Sequence, residues 1–232
     1  MHNIERNSKS AISLEPFKEL NYPLSLGEVE LDVPDDRIYI LRMPIRSYHS
    51  GFQIPEELKW CRPLIAVAEV NQKKMKVNHP FCYITIRSGL VTSTTDDEWH
   101  VDGFSTKITH LPEQNYIWVD RVPTEWTVQG INFPEDFDPL VHNVHRFIQR
   151  SLRGNVIQTC EPKRVYCMDP YVIHRRPHMY EDVYRTFIRV SFTPIEIQDR
   201  NNTFNDLLPM VSNRDGVMIR DQLKDYHEEK LK

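Results

Sequence analysis

The sequence lacks the marks of a membrane-spanning, cysteine-rich or strongly basic protein. No apolar run approaches the ~20 residues that a helix needs to cross a bilayer, so we expect no membrane partner. The four cysteines include no Cys-x-x-Cys pair. We interpret them as buried free thiols in a reducing compartment, with a disulfide or a zinc site as the alternatives. A net charge of −4 argues against a general nucleic-acid-binding surface, which requires dense positive charge.

Glycine is also scarce, whereas proline is common: seven glycines stand against sixteen prolines. Proline interrupts helices and ends strands, so its regular recurrence favours many short strands over a helical bundle. Residues 1–7 are polar and charged, without the apolar stretch of a signal peptide, which predicts a cytoplasmic location. Hydrophobic residues make up 40% and charged residues 27% of the 232 positions, which is typical of a single soluble domain spanning residues 1–232.

Short runs rich in β-branched and aromatic residues predict the strands. They lie at residues 37–42, 64–70, 81–87, 116–120, 125–129, 155–160, 164–168 and 185–193. The run at 64–70 is apolar except for Glu69, which is typical of a strand buried on both faces. Residues 1–35 are expected to form an irregular lead-in with a short helix near 14–20.

Two segments change to helical periodicity. Between residues 136 and 152 the apolar residues recur at threes and fours, which predicts an amphipathic helix, and a last helix is expected at about 216–231. Many short strands with few helices indicate a mainly β sandwich or barrel with flanking α-helices. The polar connection at 105–114 and the N-terminal region are expected to shape a substrate pocket.

The strongest functional signal is a set of three side chains that can bind a metal. His100 and Asp102 are separated by one residue, so on an extended strand both point the same way and can reach one ion. His174 follows an apolar segment further along the chain and can complete the set after folding. Two imidazoles and one carboxylate on one face of an iron leave its other positions open for oxygen chemistry. The alternative for each histidine is a structural hydrogen bond.

Two arginines follow on one predicted strand. Arg185 and Arg189 differ by four positions and therefore share a face of the strand. Two inward-facing guanidinium groups are costly to bury unless they meet anions, and a guanidinium binds a carboxylate through two parallel hydrogen bonds. The alternative is a pair of solvated arginines at a sheet edge.

This ordered set resembles the iron(II)/2-oxoglutarate-dependent dioxygenases, and its spacing is phytanoyl-CoA/TauD-like. The family pattern is His-x-Asp/Glu, a distal His, and an Arg or Lys about ten residues later. Here it reads His100, Asp102, His174 and Arg185. The resemblance covers about residues 80–195. It implies a double-stranded β-helix, a jelly-roll or cupin-like core, at those positions.

The resemblance also implies cofactors and roles. Iron(II) would be held by His100, Asp102 and His174, with 2-oxoglutarate as co-substrate and dioxygen as oxidant. Arg185 is favoured for the distal carboxylate of 2-oxoglutarate, and Arg189 for the substrate or the other end of the co-substrate, with the reverse assignment left open. Hydroxylation of a small metabolite would release succinate and carbon dioxide. An aspartate at 102 argues for hydroxylation over halogenation, because the family's halogenases vacate that position for chloride.

Two other functions stay open at the level of sequence. One is a hydroxylase of a protein, peptide or nucleic acid, which the compact length and mild acidity disfavour. The other is a cupin-like binding protein or isomerase without redox chemistry, which the scarcity of glycine disfavours. His142 and His145 are interpreted as the polar face of the predicted helix, with a shared metal as the alternative. His178 is expected to be exposed, with a substrate contact as the alternative.

Overall fold

The computed structural model describes residues 13–77, 79–92, 98–102, 113–139, 141–152, 156–194, 196–197 and 201–208. The helix expected at about 216–231 lies outside these residues, as does most of the connection at 105–114. In the part of the chain that is described, no helix is long and apolar enough to span a membrane.

The described residues form a mainly β fold, as the sequence predicts. The strands are β1 Leu24–Glu28, β2 Ile38–Arg46, β3 Phe81–Val91, β4 Gln114–Val119, β5 Glu125–Thr127, β6 Ile157–Thr159, β7 Arg164–Met168, β8 His174–Arg175 and β9 Val183–Thr193. The helices are α1 Arg62–Lys74 and α2 Val144–Ser151, with 3-10 turns at Glu15–Lys18 and Glu56–Cys61. The strands pair into two antiparallel sheets, in the orders β1-β7-β4-β9-β3-β2 and β6-β5-β8, an arrangement compatible with a β-sandwich.

Seven of the eight predicted strands overlap an observed strand, but the prediction at 64–70 is wrong. These residues belong to helix α1. A continuous apolar run does not distinguish a buried strand from a buried helix. Pro63 lies in the first turn of α1, where its missing N–H costs nothing. Burial then recurs with helical spacing at Leu64, Ile65 and Ala68.

The observed helix α2 is shorter than the helix that the apolar pattern predicts at 136–152. Residues 136–139 and 141–143 form turns, a bend and irregular chain, and α2 begins at Val144. Asn143 caps it, because the Asn143 side-chain oxygen accepts a hydrogen bond from the Arg146 N–H at 3.0 Å. The short helix expected near 14–20 is the 3-10 turn Glu15–Lys18.

The two faces of the six-stranded sheet differ in character. One face packs against α1 and the turn before it, and strand β9 contributes Ile188, Val190 and Phe192 to this core. The intervening residues of β9, Arg185 and Arg189 among them, point to the opposite side and line a cavity. Alternation along one strand therefore separates an apolar core from a polar cavity.

Two further clusters join the smaller sheet to this cavity side. Ile117 of β4, Met168 of β7 and Trp126 of β5 pack together, which connects the two sheets. Helix α2 covers the segments that carry the predicted metal ligands: Val144 and Ile148 pack with a cluster that also contains Phe17, Trp99, Val101, Ile131 and Ile173. These contacts fix the chain on both sides of His100 and before His174.

Candidate metal centre

His100 and His174 are brought together by their own backbones. The His100 N–H donates to the His174 carbonyl at 2.9 Å, and the His174 N–H donates to the His100 carbonyl at 3.0 Å. This reciprocal pair is one isolated antiparallel bridge, in which directly opposed side chains lie on the same face. The two ring centroids are 4.5 Å apart.

Each imidazole also bonds to a nearby carbonyl through its Nδ1. His100 Nδ1 lies 2.9 Å from the Glu98 oxygen, and His174 Nδ1 lies 2.8 Å from the Val172 oxygen. A carbonyl only accepts, so each Nδ1 carries a proton and each Nε2 is the nitrogen left for a metal. Such a bond on the far nitrogen is typical of metal-binding histidines, because it fixes the tautomer and the ring orientation.

Asp102 completes the group as an ionised carboxylate. Its Oδ1 accepts from Arg189 Nη1 at 3.0 Å, and its Oδ2 accepts from Asn115 Nδ2 at 2.9 Å and lies 3.8 Å from His174 Nε2. Burial alone would raise the pKa of Asp102, but attraction to Arg189, and then to His174, outweighs it and holds that pKa well below the usual range. Burial and the neighbouring His100 lower the pKa of His174 to about 4, so this imidazole is neutral near pH 7.

The donor set fits a divalent transition metal. One ligand atom from each of His100, Asp102 and His174 lies within 4.8 Å of the other two, and we call these three residues the triad. A structural zinc site is closed by four ligands, whereas the described part of the chain offers three here. Two imidazoles and one carboxylate with open positions are the donors of non-haem iron(II) oxygenases.

A cavity of about 400 Å³ opens beside the triad, within the range of small-molecule sites. Its wall includes the buried hydroxyl residue Thr124, as well as Ile117 and Phe187. Five arginines also line it: Arg87, Arg175, Arg176, Arg185 and Arg189. The cavity therefore combines a candidate metal site with walls rich in arginine.

Arg185 and Arg189 both face this cavity, but their partners differ. Arg189 is bound to Asp102. Arg185 is buried, its Nε donates to the Val122 carbonyl at 2.9 Å, and its guanidinium carbon lies 5.4 Å from the centre of the Phe187 ring. No carboxylate forms an ion pair with Arg185 among the described residues. Arg185 is therefore the one of the two with terminal N–H groups open to an added anion.

The left-handed backbone of Val122 helps to position Arg185. Val122 has a φ of 50°, a conformation that is strained for a β-branched residue. Its carbonyl nevertheless reaches the Arg185 side chain. Strain of this kind persists where the surroundings over-determine it, often beside functional sites.

The other histidines do not join the triad. His145 lines the cavity, and its ring centroid is 6.3 Å from that of His100. His142 instead accepts from the Asp138 N–H, so His142 and His145 form no shared metal site within the described chain. His178 is exposed, as the sequence predicts, and packs against Tyr180.

Sequence reasoning missed Asn115, Arg87 and Arg176. Asn115 stands one position before the predicted strand, yet alternation from Ile117 on β4 places it on the cavity face. Arg87 closes the predicted strand at 81–87, on the same face as the buried Thr85. Arg176 follows His174 by two, a spacing that shares a face only while the chain stays extended.

Comparison with known proteins gives distant structural likenesses only. No family model matches this chain, and no curated protein matches it. Similar solved structures include EvdMO1, at 15% identity with a TM-score of 0.42, covering 77% of this chain and 48% of that one. Another is AviO1 from Streptomyces viridochromogenes Tue57, at 13% identity with a TM-score of 0.42, covering 82% and 94% of the two chains. The match thus spans about half the length of EvdMO1.

Proposed function

We propose that this protein is an iron(II)- and 2-oxoglutarate-dependent dioxygenase that hydroxylates a small molecule, built on a double-stranded β-helix core. The observation that carries the proposal is the convergence of His100, Asp102 and His174 on the wall of a cavity. Both imidazoles turn their free nitrogen away from the carbonyl that orients them. The alternation of polar and apolar faces on β9 supports the same core.

The triad would hold the iron through two neutral nitrogens and one anionic oxygen. When bound, iron(II) would supply the redox chemistry by which dioxygen converts 2-oxoglutarate to succinate and carbon dioxide, with one oxygen atom going to succinate and the other into a substrate C–H bond. The protein's own part is to orient these ligands. Asn115 holds the Asp102 carboxylate, and Gln149 of α2 accepts from the Trp99 N–H at 2.9 Å, which fixes the chain beside His100.

Arg185 would bind the distal carboxylate of 2-oxoglutarate. It is buried, faces the cavity and has open terminal N–H groups, whereas Arg189 already serves Asp102. Burial lowers the pKa of Arg185 to about 10, so the guanidinium stays charged near pH 7, and an anion beside it offsets the cost of burying that charge. Thr124 lines the same cavity and offers a hydroxyl donor to that carboxylate.

The test measures metal binding and succinate together. Purified protein is titrated with iron(II), or with manganese(II) as an inert substitute, under anaerobic conditions, and is then assayed for 2-oxoglutarate-dependent succinate release. We expect one ion per chain, and we expect His100→Ala, Asp102→Ala and His174→Ala each to lose binding and turnover. The exposed His178→Ala is the matched control and should behave as the wild type. Unchanged iron content and activity in the triad variants would exclude this site.

The co-substrate arginine has its own test. Arg185→Gln should raise the 2-oxoglutarate requirement by a factor of ten or more, because a buried charge-assisted pair contributes about 2–5 kcal/mol. Its metal affinity should change little. Arg189→Gln should instead strengthen metal binding, because Asp102 loses the guanidinium that competes with the ion for its negative charge. If only Arg189→Gln alters the 2-oxoglutarate requirement, the roles of the two arginines are exchanged.

The alternative function, a binding protein without redox chemistry, predicts a different result. A cupin-like protein would bind a dicarboxylate without metal and would release no succinate. In the oxygenase, 2-oxoglutarate should raise the melting temperature chiefly when manganese(II) is present, since its 2-oxo acid end needs the ion to chelate. An equal shift in metal-free protein would favour the binding protein.

A further inference from the structure

The cavity wall carries more positive charge than Asp102 and one bound 2-oxoglutarate would pair with. Among the described residues that line it, five are arginines and two, Glu98 and Asp102, are acids. Arg189 is bound to Asp102. Arg175 is bound to Glu125 at 2.7 Å and stacks over the Trp99 ring at 4.4 Å. The other three arginines have no acidic partner among the residues that the structure describes.

These three, Arg87, Arg176 and Arg185, form what we call the arginine cluster. All three line the same cavity. Burial lowers the pKa of Arg185, and repulsion from Arg176 and, to a smaller degree, from Arg87 lowers it further. Asp120 opposes that effect. Its carboxylate, however, is already taken up by the Thr186 N–H and by Arg121.

Arg176 shows the deficit most directly. The side chain is half-buried, and its Nε is inaccessible and has no hydrogen-bond partner among the residues that the structure describes. A buried N–H of a charged group that is left unpaired is costly. Because this Nε is closed to solvent, a ligand in the cavity would bind the terminal N–H groups of Arg176, and the planar guanidinium suits an oxyanion.

One co-substrate does not account for the cluster. If 2-oxoglutarate binds as proposed, its 2-oxo acid end lies on the metal and its distal carboxylate on Arg185. Arg87, which is exposed, and Arg176 then still face the cavity without an anion. Arg87 is exposed and also lines the cavity, so it lies where the cavity meets solvent.

We propose that Arg87 and Arg176 bind an anionic group of the hydroxylated substrate, so the substrate is a small molecule that carries a carboxylate, phosphate or sulfate. That the bound molecule is a substrate rests on the proposed function, whereas that it is an anion rests on the arginine cluster alone. The guanidinium groups hold the anionic end and thereby orient the rest of the molecule toward the triad.

The probe is inorganic sulfate, a divalent anion and a weak ligand for metal ions. It is titrated into the protein at constant ionic strength against sodium chloride, and binding is followed by tryptophan fluorescence, since Trp99 lies in the cavity wall beneath Arg175. Melting temperature is a poor readout here, because sulfate stabilises folded proteins in general. One series uses metal-free protein. A second contains manganese(II) and 2-oxoglutarate under anaerobic conditions.

We expect saturable sulfate binding in both series. In Arg176→Gln and Arg87→Gln the half-saturating concentration should rise at least about ten-fold, the loss of one hydrogen bond to a charged group, while 2-oxoglutarate binding to the manganese(II) form changes little. Arg164→Gln is the matched control: Arg164 lies on β7 outside the cavity, paired with Glu161, and its variant should bind sulfate as the wild type does.

Three results overturn the proposal: no saturable binding to wild-type protein, equal binding by the cluster variants and the control, or displacement of sulfate by 2-oxoglutarate. The last would assign the whole cluster to the co-substrate. Sulfate binding that depends on Arg87 and Arg176, in protein that releases no succinate, supports the anion site and overturns only the oxygenase function.

Discussion

Both faces of the six-stranded sheet contain buried residues, but they are stabilised in different ways. On β9, Ile188, Val190 and Phe192 are fully buried against the α1 side. On the other face Arg185 and Ser191 are also buried, yet both are polar. Apolar burial needs only close packing, whereas polar burial needs a partner for each group. The stability of the cavity face should therefore respond to metal and pH, and that of the core face should not.

The partners on the cavity face form a chain of charges. Asp102 is paired with Arg189. Glu113, whose side chain is 0% exposed, is paired with Arg42 at 3.1 Å. Burial lowers the pKa of Arg189, but attraction to Asp102 and then to Glu113 outweighs burial and raises that pKa. Removal of one member of a buried pair leaves an uncompensated charge, so this face is sensitive to single changes.

The largest effect is expected on the core face. Phe192→Ala should lower the free energy of unfolding by about 3–5 kcal/mol, because it leaves a cavity beside Tyr116 and Phe52. Urea denaturation measures this loss, which should be the same with and without manganese(II). Tyr184→Ala, at the exposed end of the same strand, is the control and should change stability by less than about 0.5 kcal/mol. A metal-dependent loss for Phe192→Ala would contradict the separation of the faces.

The next effect is expected on the cavity face. Arg189→Leu should destabilise the metal-free protein by about 3 kcal/mol, since it leaves the Asp102 carboxylate buried without its guanidinium. With saturating manganese(II) the loss should shrink, because the cation supplies positive charge to the same carboxylate. Paired urea titrations with and without metal measure the difference. Equal losses under both conditions would show that Asp102 does not bind the ion.

Strand β9 was predictable from sequence because its alternation is local. Residues 185–193 carry the period of two that a strand with different faces requires, and the observed strand starts only two residues earlier. Helix α1 was not predictable in the same way, because the run at 64–70 has no polar residue before Glu69 to reveal its period.

The triad was predictable as a set of residue types, but its surroundings were not. The one-residue spacing of His100 and Asp102 is a local signal. The pairing of Asp102 with Arg189 joins positions 87 residues apart, and nothing in either segment marks it. For the same reason Arg189 was assigned to a ligand, and the structure gives it a partner within the chain.

The two faces should also differ in how their stability depends on pH, because Ile188, Val190 and Phe192 on the core face of β9 carry no ionisable group. Burial and His100 lower the pKa of His174 from 6.5 to about 4. Between these values the unfolded chain holds a proton that the native metal-free protein does not. The free energy of unfolding should therefore fall as the pH drops through this window, by up to about 1.4 kcal/mol per pH unit. The contribution of Asp102, whose pKa is depressed, is lost only at lower pH.

Urea unfolding of metal-free protein at several pH values measures this slope. His174→Gln should remove most of it. His178→Gln, at an exposed position, should retain the slope of the wild type. A His174→Gln variant with an unchanged slope would assign the acid sensitivity to another group.

The smallest effect concerns the polar residue furthest from the triad in this chain of contacts. The Ser191 hydroxyl donates to Asn115 Oδ1, and the same amide donates to Asp102 through Nδ2. Ser191→Ala should cost about 1 kcal/mol of stability and should lower manganese(II) affinity by no more than about ten-fold, because the amide loses one of the bonds that orient it. Ser88→Ala is the matched control: Ser88 shares a hydrogen bond with Thr186 at 2.9 Å, with no link to Asp102. Its stability loss should be similar and its metal affinity unchanged. Equal metal affinities in the two variants would show that Asn115 orients Asp102 without help from Ser191.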